Sequence, residues 1–310
     1  MYKPKPVYNL KEDTRSMLNT LLFYGILLPI SYLPIQLLYG LADFIYFVLY
    51  HLIGYRKKVV IKNLHNSFPE KDEKEISYLA KRFYHHLADI FMEAILNLRL
   101  SKKKLLERYR CTNAEILTPY YDAGQSVILM SAHYNNWEYM ITTLEHQLKH
   151  HGIGVGKELS NKTLDKYLNK YRTRYGTEVV FANKVRDTFE YYNSHKVPVA
   201  YMMLSDQSPN NINKCWWTTF LNQDTGFIFG GEHFAKKYNY PVFYYDVQKV
   251  KRGYYEITFK PITINPLEEK YGYITEKYVN FLEQTIIDKP EYWLWSHKRW
   301  KHKKPETTIL

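Results

Sequence analysis

A histidine and a glutamate separated by four residues are the side chains in this sequence best suited to acid–base chemistry. They are His133 and Glu138, in the segment AHYNNWE at 132–138. An imidazole that donates one ring N–H to a carboxylate is held in a single tautomer, and the carboxylate stabilises its protonated form. His133 could therefore act as a general base that Glu138 orients. No serine or cysteine nucleophile is needed if the substrate brings its own hydroxyl, although the spacing alone also suits an ordinary polar turn.

The two side chains can meet only if the chain changes direction between them. Five positions along a continuous helix turn a side chain about 140° away. The apolar run before His133 predicts a strand, and the pattern from Tyr139 onwards predicts an amphipathic helix. We expect that helix to end at Gly152, after a short basic run. A strand-to-helix turn would then bring His133 and Glu138 together.

The rest of the sequence alternates between predicted strands and predicted helices. Later strands are predicted at 177–181, 197–204, 242–247 and 254–259; helices at 76–98, 164–174, 186–192, 232–238 and 275–287; and a glycine-bearing loop at 221–231. This alternation predicts an α/β fold with a mixed, largely parallel sheet flanked by helices. Ligands of such sheets bind beyond the carboxyl ends of strands, so we expect the strand ends at His133 and Asp206 to border a site.

The composition is strongly basic. The 310 residues include 43 Lys and Arg against 31 Asp and Glu, which gives a formal net charge of +12. That balance suits an anionic partner such as nucleic acid, an acidic carrier protein or a membrane surface, but it could also be a compositional bias. The two cysteines, Cys111 and Cys215, have neither disulfide-framework nor metal-ligand spacing, so we expect no metal site and a reducing compartment.

The N-terminal part predicts a membrane anchor. From Leu21 to Ile53 the only charged residue of the Asp, Glu, Lys and Arg types is Asp43. Roughly 20 apolar residues span a bilayer, and Pro29 and Pro34 would break or kink such a helix. A tilted span, a re-entrant pair and an in-plane anchor are all compatible with this pattern, as is a buried helical hairpin. The predicted division is a basic segment and anchor at 1–58, a main domain at 59–303 and a polar tail at 304–310.

Taken together, these features of the sequence resemble the lauroyl/myristoyl-type acyltransferases of lipid A biosynthesis, within the lysophospholipid acyltransferase superfamily. The resemblance covers nearly the whole chain, and it depends on the order and spacing of several segments together. These segments are the anchor, 56–64, 68–70, 133–138, Asn161, Asp165, Arg172, Arg174, 206–209, 220–221 with Gly230, and 293–300.

The resemblance implies transfer of a fatty acyl chain from an acyl carrier protein or coenzyme A thioester to a lipid hydroxyl, without a further cofactor. It implies His133 as the general base and Glu138 as the residue that orients it. It also implies substrate-binding roles, which fall to Lys157, Arg172, Arg174, Asp206 and Gln207. Guanidinium groups bind phosphate in a two-pronged fashion, so the arginines suit a phosphate of the acceptor or of the pantetheine arm. Asp206 would position a substrate or pair with one of those arginines.

The resemblance also implies a location and partners. The enzyme would act at the bacterial inner membrane with its site facing the cytoplasm, where acyl thioesters are made. Acyl carrier protein is acidic, so the basic charge could steer it to the site.

One residue departs from the family pattern and leaves the acceptor open. The family commonly has arginine where this chain has Lys157, which keeps the charge but loses the planar fork. A lysophospholipid or an amino-acid-linked lipid is therefore an alternative acceptor. A more distant alternative is a non-enzymatic protein that binds lipid or nucleic acid, since the basic and aromatic residues at 293–301 could stack on bases. The apolar anchor argues against a nucleic-acid partner.

Overall fold

The fold is built on a seven-stranded sheet. The computed structural model describes residues 14–306, so the first part of the predicted basic segment and the last residues of the predicted tail lie outside the described residues. The strands are β1 (Tyr109–Cys111), β2 (Val127–Ser131), β3 (His151–Gly156), β4 (Glu178–Phe181), β5 (Val199–Leu204), β6 (Cys215–Phe220), β7 (Gln223–Ile228), β8 (Val242–Lys251) and β9 (Tyr254–Thr263).

The sheet is mixed and largely parallel, as the sequence predicted. Its order is β1-β9-β8-β2-β5-β3-β4, and the five strands from β8 to β4 run parallel to one another. Strand β9 is antiparallel to β8, and β1 is parallel to β9. Strands β6 and β7 form a separate antiparallel hairpin.

Helices flank both faces of the sheet. They are α1 (Thr14–Leu22), α2 (Leu28–Ser31), α3 (Ile35–Phe47), α4 (Lys57–Ser67), α5 (Glu73–Asn97), α6 (Lys102–Arg108), α7 (Thr118–Asp122), α8 (Trp137–Gln147), α9 (Lys162–Arg172), α10 (Val185–Ser194), α11 (Gly230–Tyr238) and α12 (Tyr273–Asp288). Helix α5 begins with a capping box. The side chain of Asp72 accepts the backbone N–H of Glu75, and the side chain of Glu75 accepts the backbone N–H of Asp72.

The interior position of β2 explains its continuous apolar sequence. All of its residues are buried, because helices cover both faces of a parallel sheet. Ile128 and Met130 belong to one apolar cluster, and Val127 and Leu129 belong to the cluster on the opposite face. This alternation fixes the register of β2 in the sheet, and so fixes where the chain leaves it at Ala132.

The helix that follows His133 ends earlier than predicted. Helix α8 stops at Gln147, and the predicted helix end at Gly152 lies inside strand β3. A Cβ atom at Gly152 would lie 3.2 Å from the backbone nitrogen of Glu145, and one at Gly154 would lie 2.6 Å from Cδ1 of Ile141, so both glycines lie where α8 packs closely on β3. The prediction of a helix stop at Gly152 was wrong.

The start of β3 carries a histidine between two carboxylates. His151 contacts Glu145 at 3.2 Å and Glu178 at 3.6 Å. Burial lowers the pKa of His151, but the two carboxylates outweigh burial and raise it to about 9. Because the folded-state pKa lies above the ordinary value of about 6.5, this stabilisation is complete below pH 6.5 and is lost as the pH rises through about 9.

We therefore predict that the free energy of unfolding falls between pH 7 and about pH 9.5, and that His151→Gln removes part of this dependence. Denaturant titrations of both proteins across that range would measure it. An identical pH dependence in the variant would show that His151 does not contribute.

A hairpin occupies the segment predicted as a glycine-bearing loop. Strands β6 and β7 are joined by Leu221 and Asn222, which have φ values of 48° and 60°. Two positive φ angles are the geometry of a two-residue hairpin turn, which usually carries asparagine or glycine. Leucine in the first position hides that signal in the sequence, so neither strand of the hairpin was predicted. Leu221 is buried, and its N–H donates to Glu283 of α12.

The N-terminal helices break at Pro34, one of the two prolines expected to break or kink them, whereas Pro29 lies inside α2. Helix α1 continues through a π-helical turn at Phe23–Leu27 into α2, and the chain then bends before Pro34, which precedes α3. A second π-helical turn extends α3 to Leu52. Within residues 14–306, the continuous helix Ile35–Leu52 is the one that is long and apolar enough, by length and composition, to cross a membrane.

Candidate active site

His133 and Asp206 meet because two neighbouring strands end together. Strands β2 and β5 are parallel and pair Ser131 with Leu204, so the residues two positions further on lie side by side. Nδ1 of His133 lies 2.8 Å from Oδ1 of Asp206, and the backbone N–H of His133 donates to Oδ2 at 3.0 Å. The two strand ends lie together, as the sequence predicted, and that they border a substrate site stays a prediction.

Asp206 is a buried, ionised acceptor. Only 3% of its surface is exposed, and Oδ2 also accepts the indole N–H of Trp293 at 3.0 Å. Burial raises the pKa of the carboxyl, but His133 and the two N–H donors outweigh burial and hold that pKa below its ordinary value. An ionised carboxylate only accepts hydrogen bonds, so Nδ1 of His133 carries the proton and Nε2 carries the lone pair.

The free lone pair of His133 is next to an amide. Nε2 of Gln207 lies 3.1 Å from Nε2 of His133 and donates to it. The ring of Trp137 stands edge-on to the imidazole, with 5.5 Å between the ring centroids. These two side chains and Asp206 fix the imidazole on three sides. The arrangement is a neutral histidine oriented by a carboxylate, which is the geometry of a general base.

The loop from His133 to Asn136 is fastened to its surroundings through its asparagines. Asn135 donates its backbone N–H to Tyr292 at 3.0 Å and its side chain to the carbonyl of Val247 at 2.8 Å. Asn136 accepts the N–H of Tyr139, which caps α8, and donates to Glu93 at 2.6 Å. Hydrogen bonds from three other elements therefore set the path of the chain between His133 and α8.

Glu138 does not have the predicted position. The carboxylate on Nδ1 of His133 is Asp206, whereas Glu138 forms a two-pronged pair with Arg172, with N···O distances of 2.8 and 2.6 Å. The reason is local: Glu138 lies in the first turn of α8, and its side chain contacts the neighbouring helix α9. The expectation that Glu138 orients the imidazole is therefore corrected.

The other residues predicted to bind substrate are Arg172, Arg174, Asp206 and Lys157. Arg172 is held by Glu138 and by Asn169. Arg174 donates to the backbone carbonyls of Asn97 and Leu100 and so caps the C-terminal end of α5. These contacts give Arg174 a structural role. The predicted pairing of Asp206 with one of these arginines is wrong, since its partners are His133 and Trp293. Lys157 is exposed and directly follows β3, at the same edge of the sheet as His133.

The Glu138–Arg172 pair should contribute measurably to stability. Its side chains are only 16% and 22% exposed, and two-pronged charged hydrogen bonds are stronger than neutral ones. We predict a coupling energy of about 1 to 3 kcal/mol in the free energy of unfolding for a double-mutant cycle of Glu138→Gln and Arg172→Met. Denaturant unfolding of the four proteins measures it. Strictly additive effects would contradict the pairing.

One side chain important for the site was missed in the sequence. Glu93 is fully buried, and its Oε2 accepts from Asn136 and from the hydroxyl of Tyr255, while Oε1 accepts from the hydroxyl of Tyr39. The signal was present, because Glu93 falls three residues after Ile90 on the apolar face of the predicted helix 76–98. An acid at such a core position usually has several hydrogen-bond partners.

Among the described residues, one group has side chains that could hold a metal ion: Asp43, His85 and Asp89. Arg252 donates to both of the carboxylates, and Lys249 lies 3.4 Å from Asp89. The negative charge of this group is therefore balanced by the chain's own cations.

Comparison with known protein families gives one match. The model of the bacterial lipid A biosynthesis acyltransferases matches residues 11–302, which is nearly the entire chain. A comparison with individually curated proteins yields no match. The matched range contains both strand ends, the histidine with its carboxylate, and the tryptophan that binds that carboxylate. The chain belongs to the bacterial lipid A biosynthesis acyltransferase family.

Proposed function

We propose that this protein transfers a fatty acyl chain from an acyl thioester to a hydroxyl group of a lipid A precursor, with His133 as the general base. The observation that carries the proposal is the hydrogen bond between Nδ1 of His133 and the buried carboxylate of Asp206, which leaves Nε2 unprotonated. Membership of the acyltransferase family supports the reaction class.

In the proposed reaction, Nε2 of His133 removes the proton of the acceptor hydroxyl while that oxygen attacks the thioester carbonyl. The tetrahedral intermediate collapses with loss of the thiolate, and the imidazolium returns its proton to the leaving sulfur. Asp206 stabilises the positive charge that the ring carries between these steps. The products are the new ester and the free thiol, so no other reactant is consumed.

The side chain of Gln207 must move away from Nε2 of His133 during this reaction. Its amide N–H and the acceptor hydroxyl would both donate to the single lone pair on Nε2 of His133. Binding of the acceptor therefore displaces the amide. The carbonyl oxygen of the same side chain can then accept from the protonated ring.

Lys157 is proposed to contact a phosphate of the acceptor or of the donor. It is exposed, and it follows β3 at the edge of the sheet that carries His133. Arg172 has a partner in Glu138, so its proposed role is to hold that carboxylate and the wall formed by α9.

We also propose that the N-terminal helices attach the enzyme to the inner membrane, with the site on the cytoplasmic face. Large apolar side chains of this region are exposed, among them Leu18 at 66%, Phe44 at 61% and Leu52 at 67%. Exposed apolar patches of this kind are found at membrane contacts. Membrane attachment would give the site access to the lipid acceptor, which does not dissolve in water.

The donor is proposed to be acyl carrier protein, attracted by the net charge of +12. We predict that kcat/KM with this donor falls about tenfold between roughly 50 and 300 mM salt, because screening weakens electrostatic steering. Initial rates at several salt concentrations would measure the change. A rate that does not depend on salt would contradict steering by charge.

The proposed reaction is tested by offering membranes that contain the protein a radiolabelled acyl carrier protein thioester. A lipid A precursor, a lysophospholipid and an amino-acid-linked lipid are supplied in parallel, and coenzyme A thioester replaces the carrier in a second series. Labelling of the lipid A precursor is the expected result. Labelling confined to the other lipids would show that one of them is the acceptor. Labelling of none of the lipids would refute the proposed function.

A further inference from the structure

A basic cavity lies between the anchor region and the loop that carries His133. It has a volume of about 210 Å³ and is lined by Arg82, His85, His86, Lys249, Glu291 and Tyr292. None of these residues belongs to the candidate active site. The carbonyl of Tyr292 accepts the N–H of Asn135 in the loop, and the ring of His85 lies 5.4 Å from that of Tyr46 in α3.

The lining contains more hydrogen-bond donors than acceptors. Four of the six lining side chains are basic, and one is a carboxylate. That carboxylate, Glu291, is already held by Arg82, whose Nε and Nη2 groups both donate to the single oxygen Oε1, at 3.0 and 2.6 Å. Lys249 is 11% exposed and donates to Asp89 and to His86, which use two of its three N–H groups. The acids therefore hold the cations in place, and donors remain for a ligand.

The tautomer of His86 follows from its neighbour. An ammonium group only donates, so the 3.3 Å contact with Lys249 requires Nδ1 of His86 to be an acceptor. Burial, together with the charge of Lys249, holds the pKa of His86 well below its ordinary value, so the ring is neutral. Its proton is then on Nε2, which is buried and has no hydrogen-bond partner.

An unpartnered N–H that is buried costs free energy unless a ligand or water accepts from it. His86 is only 4% exposed, and the ring of Tyr292 packs against it with 4.7 Å between centroids. The missing partner must therefore be an acceptor small enough to enter the cavity. Arg82, Lys249 and His86 are side chains that bind phosphate oxygens.

We propose that this cavity binds a phosphate group. The bound group accepts from Nε2 of His86, from Lys249 and from Arg82. Because the cavity adjoins α3, the source it fits best is the headgroup of an anionic lipid in the same membrane, and free phosphate is the alternative source. The choice of a lipid headgroup rests on the proposed membrane attachment, but the phosphate site does not depend on the proposed acyl transfer, since none of the lining residues takes part in it.

The test uses the full-length protein in detergent with dihexanoyl phosphatidic acid as the probe, and calorimetry as the measurement. Dihexanoylglycerol, which lacks the phosphate, and inorganic phosphate are titrated in parallel. His86→Phe keeps an aromatic ring but removes both the Nε2 donor and the Nδ1 acceptor of Lys249, and Lys249→Met removes one charge. Lys103→Met is the matched control, because Lys103 is an exposed cation on α6. His133→Ala separates this site from the active site.

Phosphatidic acid should bind, and each of the two cavity variants should weaken its binding at least about tenfold. Lys103→Met and His133→Ala should leave it unchanged. Competition by inorganic phosphate at equal concentration would identify a free-phosphate site, and its absence would identify a headgroup site. Equal binding of dihexanoylglycerol, or unchanged binding by both cavity variants, would overturn the proposal. Thermal unfolding checks that His86→Phe is folded, because this variant also loses the contact between Nδ1 of His86 and Lys249, and Lys249→Met tests the same site without changing His86.

Discussion

Replacing Asp206 with asparagine is expected to lower kcat for acyl transfer by about 10³ to 10⁴-fold. Oδ2 of Asp206 accepts two N–H groups, from the backbone of His133 and from Trp293, so the single amide oxygen of asparagine will take that position. The amide NH₂ then faces Nδ1 of His133. Nδ1 must become the acceptor, the proton moves to Nε2, and the histidine can no longer act as a base.

Single-turnover rates with a labelled thioester measure this loss, and ¹⁵N shifts of the histidine ring report the tautomer directly. The control is Glu138→Gln, which changes the other carboxylate without altering the shape of the side chain. Asp206→Asn should be the more damaging of the two. A larger loss in Glu138→Gln, with the His133 tautomer unchanged in Asp206→Asn, would contradict the assignment of Asp206.

Replacing Glu93 with alanine is expected to lower the free energy of unfolding by about 3 to 5 kcal/mol. The fully buried carboxylate accepts from Asn136 at 2.6 Å, from Tyr255 at 2.7 Å and from Tyr39 at 3.2 Å. Truncation leaves these donors without an acceptor and leaves a void in their midst. Since Asn136 caps α8 and follows His133 closely, acyl transfer should fall as well.

Denaturant unfolding in detergent measures the stability, and the same preparations give the transfer rate. Glu93→Gln is the matched control. The amide has the shape of the carboxylate and keeps one acceptor oxygen, so Glu93→Gln should cost only about 1 kcal/mol. A loss below about 1 kcal/mol in Glu93→Ala would show that the hydrogen bonds of Glu93 do not hold the loop.

The sheet could be predicted from the sequence because its strands are buried on both faces. The segments that became β2 and β5 are continuous apolar runs, and such runs are typical of interior parallel strands. The four strands that were not predicted, β1, β3, β6 and β7, carry weaker signals. Strand β3 contains glycines whose role depends on the approach of Ile141, and the turn before β7 uses leucine where glycine is usual.

The site could be predicted in its position but not in its pairing. Parallel strands place their ends together, so His133 and Asp206 could be assigned to one edge of the sheet from their positions alone. Which carboxylate faces the imidazole depends on the register of β2 with β5 and on the direction of α8, and neither is encoded in the spacing of His133 and Glu138. Contacts between distant segments, such as Glu93 with Asn136, follow only from the tertiary packing.

The most direct test of His133 as the general base is a single-turnover measurement of acyl transfer to the lipid A precursor by the wild-type protein and by His133→Ala. His195→Ala is the control, because His195 is an exposed histidine that directly follows α10 and lies outside the candidate active site. We predict that His133→Ala loses at least about a thousandfold in rate and that His195→Ala keeps the wild-type rate. A His133→Ala rate within tenfold of the wild-type rate, in a folded protein, would contradict the role of His133 as the general base.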